Sequence, residues 1–244
     1  MRNAIVTGGS RGLGLGIARR LCASGFRVIA IARKESDEFQ TAKREVDESG
    51  SGALHFVPCD LAQIDGIPEL VKKLHAEFGP IYGLVNNAGI GSDGLLALTS
   101  TQMIDQVVRL NTISPMVLTK QVVRAMMADG GGRIVNMSSI VASTGYSGLS
   151  VYAATKASMV GFTRSLAREV GRMGVTVNAV APGFVDTEMT QGMTDEQRQR
   201  VARRSALNRV VEVEDVANAV EFLLSDRARN ITGTVLTVDA GNTA

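Results

Sequence analysis

Short apolar runs rich in β-branched residues alternate with stretches of helical period from the N-terminus to about Asn86. Asn3 to Thr7, Arg27 to Ala32, Ala53 to Cys59 and Ile81 to Asn86 read as strands. Between them, Gly12 to Ser24, Glu35 to Ser49 and Ile64 to Phe78 read as helices. Such alternation predicts a parallel sheet covered on both faces, joined by right-handed crossovers. Further on, Arg133 to Ser138 reads as a strand, Val213 to Leu224 as a helix and Thr234 to Val238 as a closing strand. Two longer helical segments, about Thr101 to Ala128 and Val151 to Arg172, carry apolar residues on more than one face. A helix apolar nearly all round is covered on two sides, here by the sheet and by a second subunit. Pro115 is expected to kink or interrupt the first of them.

Composition narrows the class without changing that outline. At 244 residues, 45% hydrophobic and 20% charged with a formal net charge of +2, the chain has the make-up of one soluble α/β domain. Its basic residues are scattered, and the dense group Arg198, Arg200, Arg203 and Arg204 reads as a solvated helix face, so no nucleic-acid partner is expected. Cys22, Cys59, His55 and His75 lack partners at ligand spacing, which predicts no disulfide framework and no metal. No apolar run approaches the roughly 20 residues of a membrane span, and the start of the chain carries no secretory pattern. A cytoplasmic protein without a membrane partner is the expectation.

Candidate chemistry enters at the strand ends. The first strand runs into Thr7-Gly8-Gly9-Ser10-Arg11-Gly12-Leu13-Gly14 and then into a helix. Glycines there permit a tight turn and close backbone approach, while the helix start offers amide hydrogens and a positive dipole end to a pyrophosphate. The second strand ends without a carboxylate and is followed by Arg33-Lys34. Together with Arg11, these cations suit a 2′-phosphate, which predicts NADP(H) over NAD(H). Asp60-Leu61 closes the third strand, where a carboxylate can accept from an adenine amino group. Asn86-Asn87-Ala88-Gly89 closes the fourth with small and amide side chains suited to a loop passing close to the cofactor.

The second chemical cluster follows the strand at Arg133. Twelve residues separate Ser139 from Tyr152, and Tyr152 and Lys156 stand one helical turn apart. A phenol ordinarily ionises near about 10, and a neighbouring ammonium favours the phenolate, which would tune Tyr152 for general acid-base work. Ser139, delivered from the strand end, can hydrogen-bond the same oxygen, and the chemistry expected is carbonyl and alcohol interconversion.

Thr-Gly-x-x-x-Gly-x-Gly at Thr7 to Gly14, Asn-Asn-Ala-Gly at 86–89, Asn111, Ser139, Tyr152-x-x-x-Lys156 and Pro182-Gly183 together resemble the short-chain dehydrogenase/reductase superfamily, in order and over nearly the whole chain. The resemblance implies a single Rossmann-type domain, 1–244, with a seven-stranded doubly wound parallel sheet. It implies a catalytic tetrad of Asn111, Ser139, Tyr152 and Lys156, with Lys156 on the nicotinamide ribose and Asn111 holding a water in a proton relay. It also implies cofactor contacts from Gly8, Ser10, Arg11, Gly12, Leu13, Gly14, Arg33, Asp60, Leu61, Asn87, Ala88, Gly89, Tyr152, Lys156, Pro182, Gly183, Val185 and Thr187. A substrate lid at about 188–209 and a homotetramer or homodimer complete the family pattern; Gln191-Gly192-Met193, followed by a polar run, suits such a lid.

Within the superfamily the chain is most similar to the 3-oxoacyl-[acyl-carrier-protein] reductase group, notably over Ser165 to Val170 and Val175 to Thr190. NADPH-dependent reduction of a 3-oxoacyl thioester, on acyl carrier protein or coenzyme A, is the activity this implies. The chain departs from that group where carrier-docking cations are expected, with Asp129-Gly130-Gly131-Gly132 before Arg133 and Arg172-Met173 after the second long helix. A dehydrogenase of a sugar, polyol or other small secondary alcohol therefore stays open as the alternative.

Overall fold

A computed structural model of the chain describes residues 1–185 and 195–244. Strands β1 (Asn3–Thr7), β2 (Arg27–Ala32), β3 (Ala53–Pro58), β4 (Ile81–Asn86), β5 (Gly132–Met137), β6 (Val175–Pro182) and β7 (Val235–Val238) form one sheet. Its order is β3-β2-β1-β4-β5-β6-β7, and each neighbouring pair is parallel. The seven-stranded sheet expected from the resemblance is thus the one the chain forms. Strand order reverses between β1 and β4, and in open parallel sheets the crevice beyond that switch point is where ligands sit.

Helices cover both faces because the strands are apolar on both. One layer holds α1 (Gly12–Ala23), α2 (Asp37–Ser49) and α9 (Val213–Leu224), packed through Ile17, Leu21, Phe39, Val216 and Val220 onto Val6, Val28 and Val135. The other holds α3 (Ile67–Phe78), α5 (Ser114–Ala128) and α7 (Ser150–Val170), packed through Val71, Leu74, Leu118, Val122 and Leu166 onto Ile5, Ile29 and Ile134. Alternate residues of one strand feed opposite cores, as a strand's two-residue period requires. The connections also contain α4 (Thr101–Val108), a single turn α6 (Val141–Thr144) and α8 (Asp195–Arg204).

The segment from Thr101 to Ala128 is not one helix. A π-helical turn over Arg109–Ile113 separates α4 from α5, and Pro115 occupies the first turn of α5. Proline has no N–H to give to the carbonyl four residues back, so the wider turn ahead of it accommodates the missing bond. Asn111 lies within that turn.

A buried polar chain ties the sheet to this layer. Asn86 Nδ2 donates to Thr119 Oγ1 at 2.9 Å and to Asn136 Oδ1 at 2.8 Å, and Asn136 Nδ2 donates to Thr163 Oγ1 at 2.8 Å. Paired polar groups inside a low-dielectric core fix the relative placement of β4, β5, α5 and α7, which carry the candidate site. Among the described residues, no helix is long and apolar enough to cross a membrane, and no cluster of His, Cys, Asp or Glu could hold a metal ion.

Candidate active site

Tyr152 and Lys156 project from the first two turns of α7, beside the end of β5. The Lys156 ammonium is buried, lies 5.5 Å from the Tyr152 ring centre and donates to the Met137 carbonyl at 2.9 Å. Its backbone is braced in turn, since Ser138 Oγ donates to the Lys156 carbonyl at 2.9 Å. The two adjacent serines therefore separate: Ser138 is buried and spent on α7, whereas Ser139 is half-buried, with its hydroxyl accepting a long 3.4 Å bond from Val141 N–H.

Asn111 is clamped on three sides. Its Oδ1 accepts from the Ile90 N–H at 2.9 Å, and its Nδ2 donates to the Ile90 carbonyl at 2.9 Å and to Thr155 Oγ1 at 3.2 Å. Thr155 Oγ1 donates to the Tyr152 carbonyl at 2.7 Å, which couples the π-helical turn to the catalytic-helix backbone. Gly89 lies between the two polar residues: a Cβ there would stand 3.1 Å from Asn111 Oδ1 and 3.7 Å from Lys156 Nζ.

Burial sets the protonation of this cluster. It pushes the Tyr152 phenol up to about 12 and the Lys156 ammonium down to about 8. The expectation that Lys156 would favour the phenolate is not met by the chain on its own. The ammonium is aimed at the Met137 carbonyl, and removal from water outweighs its pull on the phenol. Tyr152 is consequently held as the neutral acid, the form that gives up a proton.

The cofactor side is built from backbone. Gly8 and Gly12 have φ of +66° and +52°, values that favour glycine. A Cβ on Gly14 would lie 2.1 Å from the Gly8 carbonyl and 2.6 Å from Asn87 Nδ2, so α1 meets the loop after β1 in direct backbone contact. Arg11 stands extended at the start of α1 without a side-chain cap, and the first turn carries no acid. That helix start fits a pyrophosphate. Asn87 and Ala88 N–H both donate to Thr7 Oγ1 at 2.9 Å, and Asn87 Nδ2 donates to the Thr7 carbonyl at 2.9 Å. Ser36 Oγ donates to the Ser10 carbonyl at 2.5 Å, which draws the Arg33-Lys34 loop against the glycine loop. Arg11, Arg33 and Lys34 are all exposed there, a donor set that suits a 2′-phosphate.

The remaining expected positions divide. Asp60 is exposed, with one carboxylate oxygen accepting from Ala62 N–H at 3.0 Å; Leu61 is buried in the core, which leaves its backbone as the part able to reach a cofactor. The Pro182 carbonyl accepts from Ile140 N–H at 3.0 Å, and Gly183 N–H donates to the Val238 carbonyl at 2.9 Å. Leu13 is half-buried at the start of α1, and Val185 is buried and bridges to Val211. Thr187 and the first part of the expected lid lie outside the described residues; its later part forms α8. Beside Pro182-Gly183, Phe184 meets Tyr146 edge-on at 5.8 Å.

Sequence reasoning did not single out Thr155, Ile90 or Tyr146, quoted Thr7 only as part of a motif, and expected Gly89 as a cofactor contact rather than as the neighbour of Asn111 and Lys156. A Thr three residues after the catalytic Tyr was the one local signal for Thr155, since a threonine hydroxyl can bond back to a carbonyl one turn earlier.

The sequence profile of a family described as enoyl-(acyl carrier protein) reductase matches residues 8–243. A 3-oxoacyl-[acyl-carrier-protein] reductase of Escherichia coli is 42% identical over 238 residues, 98% of this chain and 96% of the relative. A short-chain dehydrogenase from Burkholderia cenocepacia in complex with NADP superposes with a TM-score of 0.91 at 34% identity, covering 100% of this chain and 98% of the other. A candidate NAD(P)-dependent gluconate 5-dehydrogenase from Beutenbergia cavernae, with NADP bound at low occupancy, gives 0.92 at 35% identity, covering 99% and 96%.

Proposed function

The chain belongs to the short-chain dehydrogenase/reductase family of oxidoreductases, and on that premise we propose that it reduces a 3-oxoacyl thioester to the 3-hydroxyacyl form with NADPH. The observation that carries the substrate class is the 42% identity over 98% of the chain to a 3-oxoacyl-[acyl-carrier-protein] reductase. The NADPH preference is supported by Arg11, Arg33 and Lys34 around the joined loops and by the NADP bound to a relative of 34% identity.

The cofactor, when bound, supplies a hydride to the substrate carbonyl carbon. Glycines 8, 12 and 14 with the start of α1 would hold its pyrophosphate, Asp60 its adenine, and Lys156 with the Pro182-Gly183 backbone and Thr187 its nicotinamide half. Tyr152, a half-buried phenol whose desolvation keeps it protonated well into the alkaline range, donates its proton to the carbonyl oxygen as that oxygen gains charge. Ser139, loosely engaged by Val141, is available to orient the same oxygen, a contribution of about 2 to 4 kcal/mol to the transition state. A water held beside Asn111 would pass a proton from Lys156 to Tyr152, and solvent would restore the proton on Lys156.

We further propose that residues 1–244 make up one cytoplasmic catalytic domain that works as a homo-oligomer. Exposed Met103 and Met127, with half-buried Ile104, Met116 and Val117 on α4 and α5, support a subunit contact there. The second reading, a sugar or polyol dehydrogenase, is favoured by the likeness to the candidate gluconate 5-dehydrogenase. Tyr152→Phe tests the mechanism: NADPH binding persists while turnover of acetoacetyl thioester falls by at least about 10³-fold, and retained turnover removes Tyr152 as the acid.

A further inference from the structure

Between Arg198 and Arg209 the chain carries five arginines and no acidic residue. Arg200, Arg203 and Arg204 are spaced by three and four along α8 and share one face, and each is exposed. Arg203 bonds the neutral amide of Gln199 at 3.3 Å, and Glu196 lies one turn before Arg200. Exposed Leu207 and Arg209 continue the surface beyond the helix.

This surface stands at the rim of the candidate site. Ala206 and Leu207 N–H donate to the carbonyls of Gly241 and Ala240 at 3.3 and 3.0 Å, anchoring the end of α8 beyond the sheet's last strand. Val211 N–H donates to the Phe184 carbonyl at 3.3 Å, and Phe184 meets Tyr146, which precedes the catalytic helix. By contrast, the stretch before β5 offers little to an anion. Asp129 stands 3.3 Å from His75, and Arg133, buried within β5, has its guanidinium carbon 5.4 Å from the Tyr82 ring centre.

We infer that the arginine face of α8 docks an acidic carrier protein that presents the thioester, in place of the cations missing before β5. The inference rests on the thioester reading of the site. A broad face of exposed guanidinium groups beside an exposed leucine matches an acidic protein surface rather than one nucleotide, because the charges are spread along the helix. Charge complementarity of this kind raises the rate of encounter and is weakened by salt.

The test compares wild type with the combined Arg200→Gln, Arg203→Gln, Arg204→Gln variant on three acetoacetyl thioesters, of acyl carrier protein, coenzyme A and N-acetylcysteamine. Expected is a fall in kcat/KM for the carrier-bound substrate that is about 10-fold greater than any fall with the other two, and a steeper salt dependence of the wild type on the carrier alone. An equal fall with coenzyme A assigns the arginines to the nucleotide phosphates and overturns the inference. An equal fall with all three assigns them to the lid, and no fall with the carrier removes them from docking; each also overturns it. If wild type reduces none of the thioesters, the thioester reading fails and takes this inference with it. Turnover of the N-acetylcysteamine substrate with an indifferent carrier sinks the docking surface alone.

Discussion

Asn111 holds Ile90 by both its backbone groups, with Oδ1 accepting from the N–H and Nδ2 donating to the carbonyl, each at 2.9 Å. The clamp fixes the loop after β4 so that Gly89 sits between Asn111 and Lys156. A methyl at Gly89 would stand 3.1 Å from Asn111 Oδ1, closing the space where a water or ribose hydroxyl would lie. Gly89→Ala is therefore expected to keep the fold and lose at least about 10-fold in kcat, the scale of a disturbed proton-transfer geometry. Steady-state kinetics with a melting curve separates this from general destabilisation.

Lys156 carries the opposite tension, a buried charge kept for chemistry. Its folded pKa of about 8 lies below the unfolded value of roughly 10.4, so the unfolded chain binds the extra proton between those limits. Stability from this group is therefore lowest below about pH 8 and rises as pH climbs towards 10. Lys156→Met removes the buried charge at the cost of one bond to the Met137 carbonyl, worth about 1 kcal/mol. The variant should melt a few degrees higher than wild type at pH 7, lose that advantage near pH 10, and be nearly inactive. A lower melting point at pH 7 would contradict the desolvation account.

Wild-type activity should carry the same signature. Tyr152, raised to about 12, stays protonated across the working range, so the alkaline fall in reduction should begin near pH 8 with the loss of charge on Lys156. The pH profile of kcat/KM reads this directly; an alkaline limb appearing only near the phenol's value would assign control to Tyr152.

Arg33 follows β2 on a loop bound to the glycine loop through Ser36 and Ser10. Arg33→Asp would place a carboxylate where a ribose hydroxyl can donate and a 2′-phosphate is repelled. We expect kcat/KM with NADPH to fall by at least about 10-fold while that with NADH holds or rises, measured by nicotinamide absorbance. An equal loss with both cofactors would place Arg33 outside phosphate recognition.

Much of the architecture was legible because its signals are local. β1, β2 and β4 match their expected spans, since each apolar run is cut off by glycine, proline, asparagine or charged residues. The interruption expected at Pro115 takes the form of a π-helical turn at Arg109–Ile113, a form sequence conceals because its extra residue leaves the apolar spacing almost unchanged. The candidate site residues were legible as motifs, but their states were not. The protonation of Tyr152 and Lys156 is set by burial that comes from distant parts of the chain, and the spacing alone suggested a lowered phenol.

The central claim is best tested by the rate of nicotinamide oxidation with NADPH and with NADH, each against acetoacetyl thioester, crotonyl thioester and a panel of plain ketones and ketoses. Fast, NADPH-dependent oxidation with the acetoacetyl thioester, and little with the others, is the predicted result. Turnover confined to crotonyl thioester, to ketones and ketoses, or to NADH would contradict it.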